Sequence, residues 1–223
     1  MTPEQKKFYD LKKTTDYKVV GDDIDYKVFI DDDKEEVVLQ FEESDSNADW
    51  KNNFLVFPWP LKLELAYNKN KTVWTTYGYA RAYKSTKAVP VMELLEETAH
   101  LRIRQILQEK LPYKVCVRGW SFGSAMAKIA VRHLEVLGMK VDELTTYGDV
   151  KCWTNPFYKA KATTVREYTT PNDLVTWAVP FYWRDAKCKV GPRFKIREAF
   201  KSEWYHTHYE EYDYTNYETE EAK

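Results

Sequence analysis

Gly119-Trp120-Ser121-Phe122-Gly123 is the stretch of this chain best suited to chemistry. It follows the apolar run Val115-Cys116-Val117 and precedes Ser124-Ala125-Met126-Ala127-Lys128-Ile129-Ala130, a small-residue stretch with the pattern of a helix. Strand, G-x-S-x-G and helix in that order form a nucleophile elbow, whose sharp turn lifts a serine hydroxyl clear of the sheet. A side chain at either flanking position would collide with strand or helix, so glycine is needed there. Seven glycines occur in 223 residues. Two of them at this spacing favour an elbow over a tight turn that happens to hold a serine.

A serine hydroxyl is a weak nucleophile at neutral pH and needs a histidine base, which in turn needs an acid to hold its tautomer. On elbow-bearing sheets the acid and then the base follow the serine along the chain. The chain has four histidines. His100 lies on a helix before the elbow, and His133 lies several turns into the helix after it, where a solvent-facing role is expected. His206 and His208 remain as candidate bases, both in Trp204-Tyr205-His206-Thr207-His208-Tyr209. For the acid, Asp173 stands in Thr170-Pro171-Asn172-Asp173-Leu174-Val175, just after a strand ending near Tyr168. Loops at the carboxyl ends of parallel strands are where such groups collect. Asp149 and Asp185 are rivals for the same role.

The elements that must position these residues follow from periodicity. Tyr26 to Ile30 and Glu36 to Phe41 read as two strands joined at Asp31-Asp32-Asp33, a solvated hairpin tip without the spaced ligands and glycine of a calcium loop. Val91 to Lys110 reads as an amphipathic helix, with Leu94, Leu95, Ala99, Ile103, Ile106 and Leu107 on one face. A strand over Lys114 to Arg118, the elbow, and a helix to about Leu137 come next. Strands over Val141 to Tyr147 and Thr163 to Tyr168 follow. Alternating helices and strands imply parallel pairing with crossovers, an α/β fold with a mostly parallel central sheet and helices on both faces. Residues 26–212 are expected to form one domain, behind a charged lead segment at 1–25 and ahead of an acidic, frayed tail at 213–223.

Bulk properties fit this reading. The chain is 43% hydrophobic and 31% charged, ordinary for a globular protein, and its formal net charge of −1 gives no reason to expect nucleic acid as a partner. Cys116, Cys152 and Cys188 are odd in number and widely spaced, so free thiols in a reducing compartment are expected. The Lys-rich start has no apolar signal region and no stretch suits a membrane helix, so a cytoplasmic location is the expectation. No ligand cluster suggests a metal, and no cofactor is expected.

Several ordered segments between Glu36 and Tyr212 together resemble the class 3 lipases, the fungal-lipase-like family of α/β hydrolases. Val37-Val38-Leu39-Gln40-Phe41 followed by Glu42-Glu43-Ser44 resembles the family's strand and oxyanion loop. Asp49-Trp50-Lys51-Asn52-Asn53-Phe54 is similar to the segment that begins its lid, and Tyr77-Gly78-Tyr79-Ala80-Arg81-Ala82-Tyr83 to the block before its long helix. Thr146-Tyr147-Gly148, Thr170 to Pro180 and His206-Thr207-His208-Tyr209 resemble its later motifs. The resemblance implies Ser121 as nucleophile, Asp173 as acid and His206 as base, with His208 the alternative. It further implies the backbone N–H groups of Phe122 and Ser44 as oxyanion donors.

The chain departs from the family at two of these places. Glu42-Glu43-Ser44 stands where the family has a glycine before its Thr or Ser, and a carboxylate turned into the hole would oppose a negative transition state. Trp120 stands where the family has histidine. Phe54-Leu55-Val56-Phe57-Pro58-Trp59-Pro60 is unusually apolar and reads either as a buried strand or packed loop, or as a lid or substrate wall. On the second reading Trp120, Phe54, Leu55, Phe57 and Trp59 would contact the acyl group, and the 54–60 segment could touch a lipid surface. Trp177, Phe181, Tyr182 and Trp183 could extend that wall, though core packing explains them equally well.

The activity implied is hydrolysis of carboxylic esters of lipid-like or other apolar acyl substrates through an acyl-enzyme. A catalytically inactive, lipase-like binding or scaffold module is the alternative that Glu42-Glu43 would favour. A thioesterase or peptidase would use the same triad with a different pocket. Nothing in the sequence fixes the oligomeric state.

Overall fold

Runs of β-branched and aromatic residues alternate with the small-residue helix after Ser121, and the backbone follows that alternation. The computed structural model describes residues 18–19, 26–31, 34–41, 55–64, 70–85, 114–136, 140–177, 179, 181–183, 187–189, 201, 206, 208, 209, 212 and 218–220. The elements are β1 (Lys18–Val19), β2 (Tyr26–Asp31), β3 (Glu36–Phe41), β4 (Pro58–Glu64), β5 (Asn70–Thr76), α1 (Tyr77–Ser85), β6 (Lys114–Trp120), α2 (Phe122–Val136), β7 (Val141–Tyr147), β8 (Ala162–Thr169), β9 (Lys187–Lys189) and β10 (Glu218–Glu220).

Among the described residues eight strands form one sheet in the order β1-β2-β3-β6-β7-β8-β9-β10. The five central strands β3, β6, β7, β8 and β9 run parallel. The two edges are antiparallel, β1 and β2 on one side and β10 on the other. This is the mostly parallel α/β sheet that the sequence predicts. The register carries the function. Phe41 of β3 lies opposite Gly119 of β6, and Trp120 lies opposite Tyr147 of β7, which lies opposite Tyr168 of β8. The carboxyl ends of four neighbouring strands therefore open beside Ser121.

Side chains divide between the two faces of the sheet with period two. One face buries Val117 and Leu144 against Phe122, Ala125, Met126, Ile129 and Ala130 of α2, and α1 adds Tyr79, Ala80, Ala82 and Tyr83 to the same core. The opposite face gathers Trp120, Tyr147, Tyr168 and Cys188 with Tyr209 and Tyr212 from the C-terminal segment. The predicted helix at 91–110, with His100, lies outside the described residues. All three cysteines are free and buried.

Three features differ from expectation. His133 is buried, not solvent-facing. Its Nδ1 meets the Tyr83 hydroxyl at 3.1 Å, a bond between α1 and α2 that removes both polar groups from water. Pro58 and Pro60 argue against a strand, yet β4 pairs with β5 along its whole length. The pair forms a separate two-stranded sheet with only edge strands, where a missing N–H is tolerated. Leu61, Leu63 and Val73 are fully buried from this hairpin. Within the stretch read as a frayed tail, Glu218–Glu220 forms β10, its backbone hydrogen-bonded to β9.

Candidate active site

β6 ends at Trp120 and α2 begins at Phe122, so Ser121 alone makes the turn. Its φ of 53° lies in the left-handed region, which costs a residue with a Cβ roughly 1–2 kcal/mol. Such strain survives only where surroundings over-determine it. Here Ser121 N donates to Tyr147 O at 2.9 Å, and Ser124 N donates to Ser121 O at 2.9 Å. Gly119 accounts for the remaining closeness. A Cβ there would sit 2.3 Å from Gly123 O and 2.9 Å from Ala127 Cβ, so helix and strand could not meet.

Asp173 is fully buried on the loop after β8. It starts the short 3₁₀ turn Leu174–Trp177 as a capping residue, its Oδ1 accepting Val175 N–H at 3.0 Å. Its other oxygen, Oδ2, faces the C-terminal segment. There it lies 2.8 Å from His206 Nδ1 and accepts the Tyr209 hydroxyl at 3.0 Å. His206 Nε2 lies 2.6 Å from Ser121 Oγ. With Nδ1–H donated to the carboxylate, Nε2 carries the lone pair that accepts the serine proton. Ser121 and His206 are 8% and 6% exposed, a small opening to solvent for otherwise buried groups.

The structure thus brings together Ser121, His206 and Asp173 in one hydrogen-bonded line. His208 is half-buried, and the ring between the acid and the serine is that of His206. Of the rival acids, Asp185 lies outside the described residues. Asp149 is held elsewhere, accepting Lys128 Nζ at 2.8 Å and Thr146 Oγ1 at 3.0 Å. Lys128 also donates to Val150 O at 2.5 Å and lies 3.3 Å from Glu167, with all three charged side chains fully buried. This cluster, together with Val150 N donating to Ser124 Oγ at 3.1 Å, ties the loop after β7 to α2.

Phe122 is the first residue of α2, so its N–H is among the first-turn amides with no partner within the helix. Ser44, Glu42, Glu43 and Phe54 lie outside the described residues. Leu55 and Phe57 are pinned through their backbones, their carbonyls accepting Gly78 N at 3.0 Å and Tyr77 N at 2.9 Å. Tyr182 Oη donates to Val56 O at 2.7 Å. Phe57 and Trp59 remain 49% and 42% exposed while both pack on the Tyr77 ring. Trp120 is 7% exposed and its indole N–H donates to His206 O at 3.2 Å. Sequence reasoning missed that role, because the partner lies 86 residues away. It also missed Tyr209 as a second donor to Asp173. The Tyr209 phenol is pushed well above its usual range, chiefly by burial and then by the neighbouring Asp173 charge, so it stays a donor. Among the described residues no group of His, Cys, Asp and Glu could hold a metal ion.

This geometry agrees with what the chain is similar to. Residues 38–182 match the family model for lipase (class 3). A mutant form of MDLA from Penicillium cyclopium aligns over 93% of this chain and 70% of its own, at 16% identity and a TM-score of 0.64. The mono- and diacylglycerol lipase from Aspergillus oryzae aligns over 88% of this chain and 71% of its own, at 17% identity and a TM-score of 0.60. The Rhizomucor miehei lipase, in complex with its propeptide, aligns over 78% of this chain and 55% of its own, at 18% identity and a TM-score of 0.56. No curated protein sequence matches. At these identities the solved structures carry the fold, an α/β hydrolase, and the family model carries the membership. The chain belongs to the class 3 lipases, a family of lipase/esterase-type hydrolases.

Proposed function

We propose that the chain hydrolyses carboxylic esters of lipid-like or other apolar acyl substrates, with Ser121 as nucleophile, His206 as general base and Asp173 as the acid that orients it. The observation that carries this reading is the His206 ring, 2.8 Å from Asp173 Oδ2 and 2.6 Å from Ser121 Oγ, beside a serine in the left-handed region. Nε2 takes the hydroxyl proton as Oγ attacks the ester carbonyl carbon. The tetrahedral intermediate collapses, the C–O bond to the alcohol breaks, and His206 returns the proton to the leaving oxygen. Water, deprotonated by the same nitrogen, then attacks the acyl-enzyme, the acid leaves and Ser121 regains its proton.

Phe122 N–H is the first oxyanion donor on this reading, and such a donor is worth roughly 10²–10³-fold in turnover. Ser44 N–H is the second. Its assignment is supported by the register, since β3 leaves the sheet from Phe41, opposite Gly119 and at the same end as Ser121. No cofactor is needed for any step. Leu55, Phe57 and Trp59 are the acyl-facing residues of the proposal, with Phe54 beside them in sequence. The exposed Val56, Phe57, Trp59, Trp177 and Phe181 form the rim that would touch a lipid surface.

Hydrolysis of p-nitrophenyl esters from acetate to palmitate tests the reading. Turnover that rises with acyl length and vanishes in Ser121→Ala is expected. A folded protein inert toward every ester would leave a non-catalytic module, the outcome that the acidic Glu42-Glu43 pair would explain. For the rim, Phe57→Ser with Trp59→Ser should weaken sedimentation with phosphatidylcholine vesicles. Unchanged binding would remove the rim from the proposal.

A further inference from the structure

The line of hydrogen bonds from Ser121 to Asp173 fixes the His206 ring, but the ring can be no better placed than the backbone that carries it. That backbone belongs to a segment more than eighty residues beyond the nucleophile, and it reaches the site from the opposite face of the sheet. Two side chains grip it. Trp120 Nε1–H donates to His206 O at 3.2 Å, and Tyr209, three residues on, donates to Asp173 Oδ2 at 3.0 Å while accepting Thr170 N–H at 2.8 Å. The two grips touch each other, the Trp120 and Tyr209 rings meeting edge-to-face with centroids 6.3 Å apart. Trp120 precedes Ser121 directly. Nucleophile and base are therefore tied through adjacent residues of one strand, with a single hydrogen bond closing the loop.

We infer that Trp120 is a positioning residue for the reaction, setting the distance between His206 Nε2 and Ser121 Oγ rather than lining the acyl pocket. The inference rests on the triad reading above. Its 7% exposure leaves little surface for a substrate, and its one polar atom is spent on the base. A fixed near-attack distance is an effect on the chemical step, so its loss appears in kcat and not in binding.

The test compares the wild-type protein with Trp120→Phe, which keeps an aromatic ring and removes the N–H, using p-nitrophenyl butyrate and octanoate. A loss of roughly tenfold in kcat is expected, the scale of one hydrogen bond, with KM for both esters unchanged. The acid limb of the kcat/KM profile should move to lower pH, since an imidazolium held less well against Asp173 gives up its proton more readily. Should the smaller ring unsettle the fold, benzothienylalanine incorporated at position 120 keeps the indole shape with sulfur in place of N–H, and the same kinetic losses are expected at an unchanged Tm. Unchanged kcat in a folded variant would overturn the inference. So would a KM that rises with acyl length at constant kcat, the signature of a pocket wall. A wild-type protein that hydrolyses neither ester removes the triad reading and this inference with it, whereas an active wild type with an equally active variant removes this inference alone.

Discussion

Gly148 lies directly beneath the His206 ring. A Cβ added to it would stand 3.0 Å from His206 Cε1 and 3.2 Å from Nδ1, and its φ of +55° already excludes an unstrained side chain. Gly148→Ala should therefore act on the imidazole twice, by pushing it away from Asp173 and by straining the turn after β7. We expect stability to fall by about 1–2 kcal/mol from the left-handed backbone alone, and turnover to fall at least tenfold. Urea unfolding and ester hydrolysis measured on the same sample check both. A variant destabilised but fully active would show that the ring does not depend on this contact.

The elbow strain has its own signature. Ser121 sits at φ 53°, where glycine carries no Cβ penalty. Ser121→Gly and Ser121→Ala should both be inactive, yet the glycine variant should melt higher than the alanine variant by a few degrees, corresponding to about 1 kcal/mol. Equal melting temperatures would mean that the turn is not strained.

The reach of sequence reasoning is clearest at this turn. Ser121, Gly119 and the small residues of α2 are local signals, and the strand, turn and helix they imply match β6 and α2 to within two residues. Asp173 could be picked out because a loop after a parallel strand is a place where chemistry collects. What stayed hidden depends on distant partners. The Tyr83–His133 bond joins residues fifty apart, and nothing local marks His133 as buried. Trp120 looked like a pocket wall because its acceptor is a backbone carbonyl far along the chain. β4 was masked by two prolines that only a two-stranded sheet could accept.

Lys128 was equally hard to foresee, since a lysine inside a helix is usually solvated. It is fully buried between Asp149 and Glu167, one ammonium facing two carboxylates. Lys128→Met would leave those carboxylates without their cation, a change that costs about 3–5 kcal/mol in comparable buried pairs. Lys128→Met combined with Asp149→Asn and Glu167→Gln should recover much of that loss. Denaturant unfolding of the single and triple variants measures this, and a single variant as stable as wild type would contradict it.

Tyrosine ionisation gives a prediction with a definite sign. Burial raises the phenols of Tyr79, Tyr83 and Tyr209 above the ordinary value of 10.0, and Tyr182, less enclosed, is pushed up to about 12. For a group whose folded pKa is raised, the stability it contributes is complete below the unfolded value and is lost as pH climbs through the folded one. Stability should thus decline above pH 10 as the unfolded chain releases protons that the folded chain retains. Absorbance at the tyrosinate band should rise in two stages, exposed phenols first and these buried ones only on unfolding. A single stage complete before unfolding would show that they are accessible.

The central claim is that Ser121 is made nucleophilic by His206, and covalent labelling reads it most directly. A fluorophosphonate probe followed by peptide mass spectrometry should find one adduct, on Ser121. It should be lost in Ser121→Ala and His206→Ala and retained in His208→Ala at a rate no more than severalfold lower. A folded protein with no adduct, an adduct on another residue, or labelling that survives His206→Ala but not His208→Ala would contradict the account.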